Sequence, residues 1–297
     1  LANAIKAQRI IELQNQSHGF KINKTSHIKL TDYIQSVAEK KSENEVRKTV
    51  LHAVVYHLRR YNPNDIQLSR IDKDYILGFL DYLKTAKQTH TKKEKLLHVN
   101  TQVYYYKMLR YCLNYAVSEE LISANPMNKI KNEEKPHKHR TEREYLTIDE
   151  LRKLAQTPFY NGLLKKAFLF SCFCGLRHSD IIALTWGDIE MDDDGNFRLY
   201  IIQKKTKEAI SLPLSQEAIK QLPKREDAKE DDIIFKKLIT LGRTNEILPK
   251  WAEQAGIKKH ITFHTARHTH ATMLLTLGVD LYTVSKLLGH ANIQTTQ

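Results

Sequence analysis

The sequence predicts a mostly α-helical protein with one small antiparallel β-sheet, divided into two domains. Apolar residues recur at spacings of three and four through residues 28–117, as they do on the buried faces of helices. The segments FRLYIIQ and AISLPL instead alternate between apolar and polar residues, which is typical of two strands joined by a turn, here KKTKE. The stretch NEEKPHKHRTEREY has no apolar periodicity and is almost wholly charged, which indicates a linker between the domains.

These features divide the chain into four parts, which are a leading segment 1–27, a helical domain 28–131, a linker 132–145 and a second domain 146–297. The leading segment contains one short helical pattern, LANAIKAQRIIELQNQ, and its first residue is leucine rather than methionine. We therefore expect this segment to be a coupling helix that follows a further domain of a longer protein.

The helical domain is expected to contain four helices. The first three are LTDYIQSVAEK, EVRKTVLHAVVYHLRRY and KDYILGFLDYLKTA, and an Asn-Pro-Asn sequence breaks the pattern before the third. The fourth spans roughly residues 100–117. Its apolar positions at helical spacing predict one buried face, which comprises Tyr106, Leu109, Leu113 and Ala116.

The second domain is predicted to begin with a helix that Thr147 and Glu150 start as a capping box. A buried helix follows in GLLKKAFLFSCFCG and ends at Gly175. We expect another helix over IIALTWGDI, capped by Ser179 or its neighbour, then the two strands, and helical structure from Pro249 onward. The acidic sequence DDDGN indicates a tight turn. A calcium loop is the alternative, although the twelve-residue spacing of calcium ligands is missing.

The net charge of +13 is uneven along the chain and favours a polyanionic partner. Residues 1–145 contain 26 Lys and Arg against 16 Asp and Glu, whereas residues 146–297 contain 21 against 18. A basic first half fits a clamp that tracks a polyanion and gains affinity by releasing counterions. The alternative is a basic protein whose charge only keeps it soluble.

Two groups of residues in the helical domain are candidates for DNA contacts. The loop KQTHTKKEKLL offers Lys92, Lys93 and Lys95 to phosphates. Basic and aromatic residues also share an outer stripe of the fourth helix, namely Tyr104, Lys107 and Tyr111. The alternative for the stripe is that the tyrosines cap a small helical core.

Cysteine usage and hydropathy point to a reduced compartment and away from a membrane. The three cysteines cannot form a complete set of disulfides, and Cys172 and Cys174 lie in the apolar run AFLFSCFCGL, where buried thiols are expected. No apolar stretch approaches the roughly 20 residues of a membrane span, and no signal peptide is recognisable. We expect a cytoplasmic protein of bacterial type, associated with the nucleoid, with no membrane partner.

Five polar residues carry the candidate chemistry, namely Arg177, Lys205, His264, Arg267 and His290. Guanidinium groups match the oxygens of a phosphate, and histidine exchanges protons near neutral pH. A lysine in a hairpin turn is able to reach a bound phosphate and protonate a leaving oxygen. The combination favours phosphoryl transfer on nucleic acid without a metal or another cofactor. Taken singly, each residue is more often a surface charge or a structural hydrogen-bonding group, and His264, His268 and His270 have spacings that also suit zinc.

The motifs that contain these residues resemble those of the tyrosine recombinases, the integrases of phages and mobile elements. CGLRHSDIIALTWGDI resembles the first motif, with Arg177 as its arginine and Asp180 as a supporting acidic residue. HTARHTHAT resembles the second motif, and LLGHANIQTT resembles the third. QKKTKEAISLPL is similar to the lysine hairpin, in which Lys205 precedes threonine, although Lys204 and Lys207 leave the register open.

The resemblance implies a tyrosine nucleophile nine residues after His290, at position 299, two positions beyond the last residue of this sequence. None of the 14 tyrosines in the sequence matches that position, and Tyr282 precedes the histidine. The similarity is greatest to the integrases of conjugative transposons and covers the chain from about Arg143 to the end, and the helical domain more loosely.

The resemblance also implies a fold and a mechanism. A helical core-type DNA-binding domain, 28–131, and an α/β catalytic domain, 146–297, would close on DNA as a C-shaped clamp. Cleavage would form a 3′-phosphotyrosyl bond that a 5′-hydroxyl reverses, and four protomers would exchange strands through a Holliday junction. The protomer would be a monomer without DNA, and a DNA-bending accessory protein is possible. The alternative functions are a relaxase similar to type IB topoisomerases and a DNA-binding regulator without catalysis.

Overall fold

The computed structural model describes residues 27–41, 44–88, 95–139, 142–204, 208–290 and 292–296. The chain divides into two compact units, Leu1–Arg140 and Thr141–Gln297. Four of the lysines singled out above lie outside the described residues, namely Lys92, Lys93, Lys205 and Lys207, as do residues 1–26 of the leading segment.

The first unit is helical. It contains α1 (Leu30–Lys41), α2 (Glu45–Tyr61), α3 (Lys73–Thr85) and α4 (Val99–Ser118), followed by short 3₁₀ turns at Pro126–Lys129 and Asn132–Glu134. Side-chain caps define where the helices begin: the Asn44 side chain accepts from two backbone N–H groups of α2, and Asp72 accepts from one of α3. The predicted buried face of α4 is confirmed, because Tyr106, Leu109, Leu113 and Ala116 are all buried.

Part of the charged stretch 132–145 is attached to this helical unit. Lys73 Nζ lies 2.8 Å from Glu134 Oε1. The Asn100 side chain accepts from the backbone N–H of His139 and donates to its carbonyl oxygen. The boundary between the two compact units therefore lies after His139, within the stretch that the sequence predicts as the linker.

His57 lies in the core of the helical unit and should make that unit sensitive to acid. The residue is 1% exposed. Its Nδ1 is 3.3 Å from the Tyr82 hydroxyl oxygen, and its Nε2 has no hydrogen-bond partner among the described residues. Burial, followed by the nearby charge of Arg60, lowers the pKa of His57 to about 4. The folded unit therefore requires the neutral imidazole.

Because the folded state binds this proton less readily than the unfolded state, the stabilisation is complete above about pH 6.5 and is lost as the pH falls toward 4. The shift corresponds to roughly 3 kcal/mol. His57→Phe should therefore lose less stability than the wild type between pH 7 and pH 5, as measured by hydrogen exchange of the α2 amides. His52→Phe, on the same helix but half-buried, is the control. An acid response in His57→Phe equal to that of the wild type would contradict this prediction.

The second unit combines helices with a three-stranded antiparallel sheet of order β1-β2-β3. Its elements, in chain order, are α5 (Ile148–Gln156), α6 (Gly162–Cys174), α7 (His178–Ile181), β1 (Ile189–Met191), β2 (Phe197–Ile202), β3 (Ala209–Pro213), α8 (Gln216–Ile219), α9 (Leu241–Gln254), α10 (Phe263–Thr276) and α11 (Leu281–Leu287). The register pairs Ile189 with Leu199 and Ile202 with Ala209. The capping box at the start of α5 is confirmed: Thr147 Oγ1 accepts from the Glu150 N–H, and the Glu150 carboxylate accepts from the Thr147 N–H.

In the first part of this unit one prediction is wrong and one strand was missed. The helix expected over IIALTWGDI does not form, because α7 begins before it at His178 and contains Ser179, and the chain then turns. The Asp188 carboxylate accepts from the Thr185 N–H and hydroxyl group, which stabilises a short 3₁₀ turn at Trp186–Asp188 instead. Strand β1, which pairs with β2, was not expected.

The acidic sequence DDDGN is the turn of the hairpin between β1 and β2. Asp192 Oδ1 accepts from the backbone N–H groups of Asp194 and Asn196, and Gly195 adopts a φ of +80°. The Asp192 carboxylate is therefore engaged in hydrogen bonds within the turn. Among the described residues there is no group of three or more His, Cys, Asp or Glu side chains arranged to hold a metal ion.

Helix α6 runs through the core of the second unit and ends as predicted. Its Phe168 ring packs against Trp251 and Phe263, with ring centroids 6.0 Å apart in both pairs. Gly175 ends the helix at a φ of +70°, and a Cβ there would lie 2.7 Å from His270 Cδ2. Cys172 and Cys174 are buried free thiols, and burial raises the pKa of both. None of the described helices is long and apolar enough to cross a membrane.

Candidate active site

Arg177 lies in the turn between α6 and α7, where Asp180 holds its backbone. The Arg177 N–H donates to Asp180 Oδ2 at 3.3 Å, and the Lys204 N–H donates to Asp180 Oδ1 at 3.1 Å. Asp180 is only 3% exposed, so this carboxylate links the first arginine to the start of the turn between β2 and β3. The Arg177 guanidinium itself donates from Nη1 to Gln203 Oε1.

Arg267 projects from α10 and is 3% exposed. Its Nη1 donates to the carbonyl oxygen of Gly175 at 2.8 Å, and its Nη2 donates to the carbonyl oxygen of Leu288. Burial, followed by the charge of Arg177, lowers the pKa of Arg267 to about 9. The buried positive charge of Arg267 therefore lies near the positive charge of Arg177, and an incoming anion would stabilise this arrangement.

His264 lies one turn before Arg267 on the same face of α10, and its ring contacts His268 edge to face at 4.6 Å between centroids. His264 is exposed to solvent. Partial burial of the ring, followed by the charges of His268 and Arg267, lowers the pKa of His264 to about 4. At neutral pH the imidazole is therefore uncharged and able to accept a proton.

His290 follows Gly289, which adopts a φ of +62° after α11. The imidazole is half-buried, and its Nδ1 lies 2.9 Å from the Thr296 hydroxyl oxygen. Burial, followed by the charges of Arg267 and Arg177, lowers the pKa of His290 to about 4. Arg177 is joined through Gln203 to the Leu288 carbonyl oxygen, which also accepts from Arg267. His264 shares a helix face with Arg267, and His290 follows two residues after Leu288, so these four side chains form one cluster, which we call the cationic cluster.

Three other residues noted in the sequence are either not described or not part of the cationic cluster. The turn residue Lys205 is not described. His270 is buried against Gly175 at the end of α6, so the three histidines do not converge on one point. Tyr282 is 60% exposed, with Lys286 Nζ 5.6 Å from its ring centroid.

The candidate DNA-binding stripe of α4 is partly exposed. Tyr104, Lys107 and Lys95 are exposed, whereas Tyr111 is half-buried. The Arg47 guanidinium lies 5.1 Å from the centroid of the Tyr111 ring, and the Tyr115 ring contacts Tyr111 edge to face. Tyr111 therefore packs against an arginine of α2, a contact between different helices that leaves no local sequence pattern.

Two residues near the cationic cluster were also missed. Gln203 is fully buried between Arg177 and Leu288. Arg143 is exposed and adds positive charge beside His264, His268 and His290. A glutamine at a strand end and an arginine in a charged stretch have no distinctive sequence signal.

Comparison with known proteins assigns the chain to a family. Residues 144–297 match the family model described as the phage integrase family, and residues 29–135 match the phage integrase SAM-like domain. The chain belongs to the phage integrase family. The integrase is 28% identical over 285 residues to the tyrosine recombinase XerD of Listeria monocytogenes, covering 86% of this chain and 93% of the relative. The assignment identifies the integrase as a tyrosine recombinase, an enzyme that breaks and rejoins DNA strands.

Solved structures share the fold of the integrase. The Tn1549 transposon integrase in complex with circular intermediate DNA superposes with a TM-score of 0.70 at 14% identity, covering 91% of this chain and 94% of the other. A lambda integrase tetramer bound to a Holliday junction gives a TM-score of 0.69 at 20% identity, covering 98% and 86%. The predicted fold class, mostly helical with a small antiparallel sheet, is confirmed.

Proposed function

We propose that this integrase recombines DNA at specific sites by forming a covalent 3′-phosphotyrosyl intermediate at the cationic cluster. The observation that carries the proposal is the convergence of Arg177, Arg267, His264 and His290, which come from three separate motifs. A desolvated pair of guanidinium groups beside neutral imidazoles suits a scissile phosphodiester, whose charge increases in the transition state.

In this mechanism the two arginines bind the non-bridging oxygens of the scissile phosphate. Both are already held in the folded protein, Arg267 by two backbone carbonyls and Arg177 by Gln203. Little reorganisation is then needed when charge develops on the phosphate, which is the condition under which fixed donors accelerate a reaction most.

The histidines supply acceptors and donors of protons. His264 and His290 are neutral because burial and the arginine charges disfavour their protonation. A bound phosphate would offset those positive charges and raise both pKa values toward neutrality, where an acid–base group is most effective. Asp180 supports the site by holding the backbone of Arg177 and Lys204.

The nucleophile would be a tyrosine at position 299, which lies beyond the residues of this sequence. Its oxygen would attack phosphorus in line, the bond from phosphorus to the 5′-oxygen would break, and Lys205 would protonate the leaving 5′-oxygen. Attack by a 5′-hydroxyl of the partner strand would then release the tyrosine. The phosphotyrosyl bond conserves the energy of the phosphodiester, so no nucleotide cofactor is required.

We further propose that four protomers act together on two synapsed double-stranded DNA sites, with a monomer as the form without DNA. The lambda integrase tetramer on a Holliday junction supports this assembly, since it shares the fold. Residues 1–145 would provide most of the DNA affinity, because they contain 26 Lys and Arg against 16 Asp and Glu, whereas residues 146–297 contain 21 against 18. The exposed Tyr104, Lys107 and Lys95 are candidates for phosphate contacts, together with Lys92 and Lys93.

Incubating the full-length protein with a nicked suicide substrate tests the proposed function. A covalent protein–DNA adduct should survive denaturation, and mass spectrometry should place the DNA on a tyrosine nine residues after His290. A polypeptide limited to residues 1–297 should bind the same DNA without forming the adduct, because the resemblance places the nucleophile beyond Gln297. An adduct on one of the 14 tyrosines within these residues would overturn the assignment of the nucleophile.

A plasmid assay separates recombination from simple relaxation. If the full-length protein relaxed supercoiled plasmids that lack a recombination site and never exchanged strands between two sites, a relaxase would replace the proposed recombinase. If it bound DNA and formed no adduct at all, a non-catalytic regulator would be the better description.

A further inference from the structure

Gln203 is a buried glutamine at the centre of the cationic cluster, immediately after β2. Its side chain has no accessible surface, and a buried amide needs hydrogen-bond partners. Its Oε1 accepts from Arg177 Nη1, and its Nε2 donates to the carbonyl oxygen of Leu288 at 3.0 Å. The Gln203 side chain therefore links the first arginine to the backbone that precedes His290.

The chemistry of the partners allows one orientation of this amide. A guanidinium group only donates and a carbonyl oxygen only accepts, so the amide oxygen must face Arg177 and the amide nitrogen must face Leu288. Glutamine is suited to this position because its amide both accepts from Arg177 and donates to the Leu288 carbonyl oxygen. A carboxylate is able only to accept, and an apolar side chain forms neither hydrogen bond.

The Leu288 carbonyl joins the two arginines. It accepts from Arg267 Nη2 directly and from Gln203 Nε2, which in turn holds Arg177. Gly289 packs directly against the amide, since a Cβ on Gly289 would lie 2.8 Å from Gln203 Oε1. The close approach leaves the amide little freedom to move and places it beside the residue that leads to His290.

We propose that Gln203 is a positioning residue that holds the Arg177 guanidinium in its productive orientation by bridging it to the Leu288 carbonyl oxygen. This inference rests on the proposed function of the cluster. An arginine side chain loses considerable rotamer entropy when it is fixed. The bridge fixes Arg177 during folding, before the phosphate arrives, so the ordering does not have to occur in the transition state.

The test compares two substrates with the full-length protein. Gln203→Met keeps the length and apolar volume of the side chain and removes the hydrogen bonds to Arg177 and to the Leu288 carbonyl oxygen. Single-turnover cleavage of a normal phosphodiester should fall about 10- to 100-fold, the range typical when a group that orients an active-site residue is lost. The dissociation constant for DNA should change little. Gln254→Met, at the exposed last residue of α9, is the matched control and should cleave like the wild type.

The second substrate carries a methylphosphonate at the scissile position, in which a methyl group replaces one non-bridging oxygen and removes the negative charge. If Gln203 acts through Arg177, the defect of Gln203→Met should shrink to a few-fold on this substrate, because less charge has to be neutralised. Gln203→Met should also add no further loss to Arg177→Ala, as expected for two residues that act as one unit. A role in folding alone would reduce cleavage of both substrates equally.

Gln203→Glu provides a second variant in case Gln203→Met does not fold. It keeps the shape and the acceptor for Arg177 but loses the donor to Leu288 and offsets the arginine charge. Its loss should also be larger on the phosphodiester than on the methylphosphonate. Equal losses on both substrates, additivity with Arg177→Ala, or wild-type cleavage by the folded variants would overturn the inference. If Arg177→Ala itself cleaved like the wild type, the proposed function of the cluster would fail instead.

Discussion

Arg177→Ala in the full-length integrase should lower the rate of DNA strand cleavage by about 100- to 1,000-fold, the usual effect of removing one oriented donor to a developing oxyanion. The affinity for DNA should remain nearly unchanged, because one phosphate contact among many contributes little to the total counterion release. Single-turnover cleavage of a suicide substrate measures the first quantity, and a binding titration at fixed salt measures the second.

Arg177 is a cleaner probe of catalysis than Arg267. Arg267→Ala should also abolish cleavage, but it would remove the donor to the buried carbonyl oxygen of Gly175 and one of the two donors to Leu288, which Gln203 Nε2 still serves. Arg177→Ala removes a single donor, to Gln203 Oε1, and a buried acceptor left unsatisfied costs about 1–3 kcal/mol. Arg152→Ala is the matched control for Arg177→Ala, since Arg152 is an exposed arginine of α5 whose partner is Asp149. If Arg177→Ala cleaved as fast as Arg152→Ala, Arg177 would not be catalytic.

Lys205→Ala should reduce cleavage of a normal phosphodiester by orders of magnitude, because the 5′-oxygen would leave without a proton. The rate should recover on a substrate in which sulfur replaces the 5′-bridging oxygen, since a thiolate leaves without protonation. This recovery distinguishes loss of the general acid from loss of binding or folding. Cleavage rates of both substrates by the same variant provide the measurement.

Lys204 and Lys207 supply the controls. All three lysines lie in the sequence between Ile202, the last residue of β2, and Ala209, the first residue of β3. Lys204 is exposed, and its backbone N–H is held by Asp180. Recovery on the sulfur substrate by Lys204→Ala or Lys207→Ala, and not by Lys205→Ala, would move the general acid to another position in the turn.

Local signals in the sequence were sufficient for most helices of the fold. The capping box of Thr147 and Glu150 marks the start of α5, and Gly175 marks the end of α6, because each device uses residues only a few positions apart. The three residues of β1 are too few to show an alternating pattern, and they become a strand only by pairing with β2. The helix expected over IIALTWGDI failed because Thr185 and Asp188 stabilise a turn, and Thr185 pairs with Ile233 as an isolated β-bridge.

By itself the sequence determined which residue types lie in which motifs, and so identified Arg177, His264, Arg267 and His290 as candidates. Only the tertiary structure decided that these residues share one cluster, in which Arg267 is buried. The Arg267 guanidinium donates to Gly175, 92 residues away in sequence, and Gln203 donates to Leu288, 85 residues away. The reason is physical: burial, charge repulsion and long-range hydrogen bonds depend on which segments meet in space, and no local pattern of residues encodes that meeting.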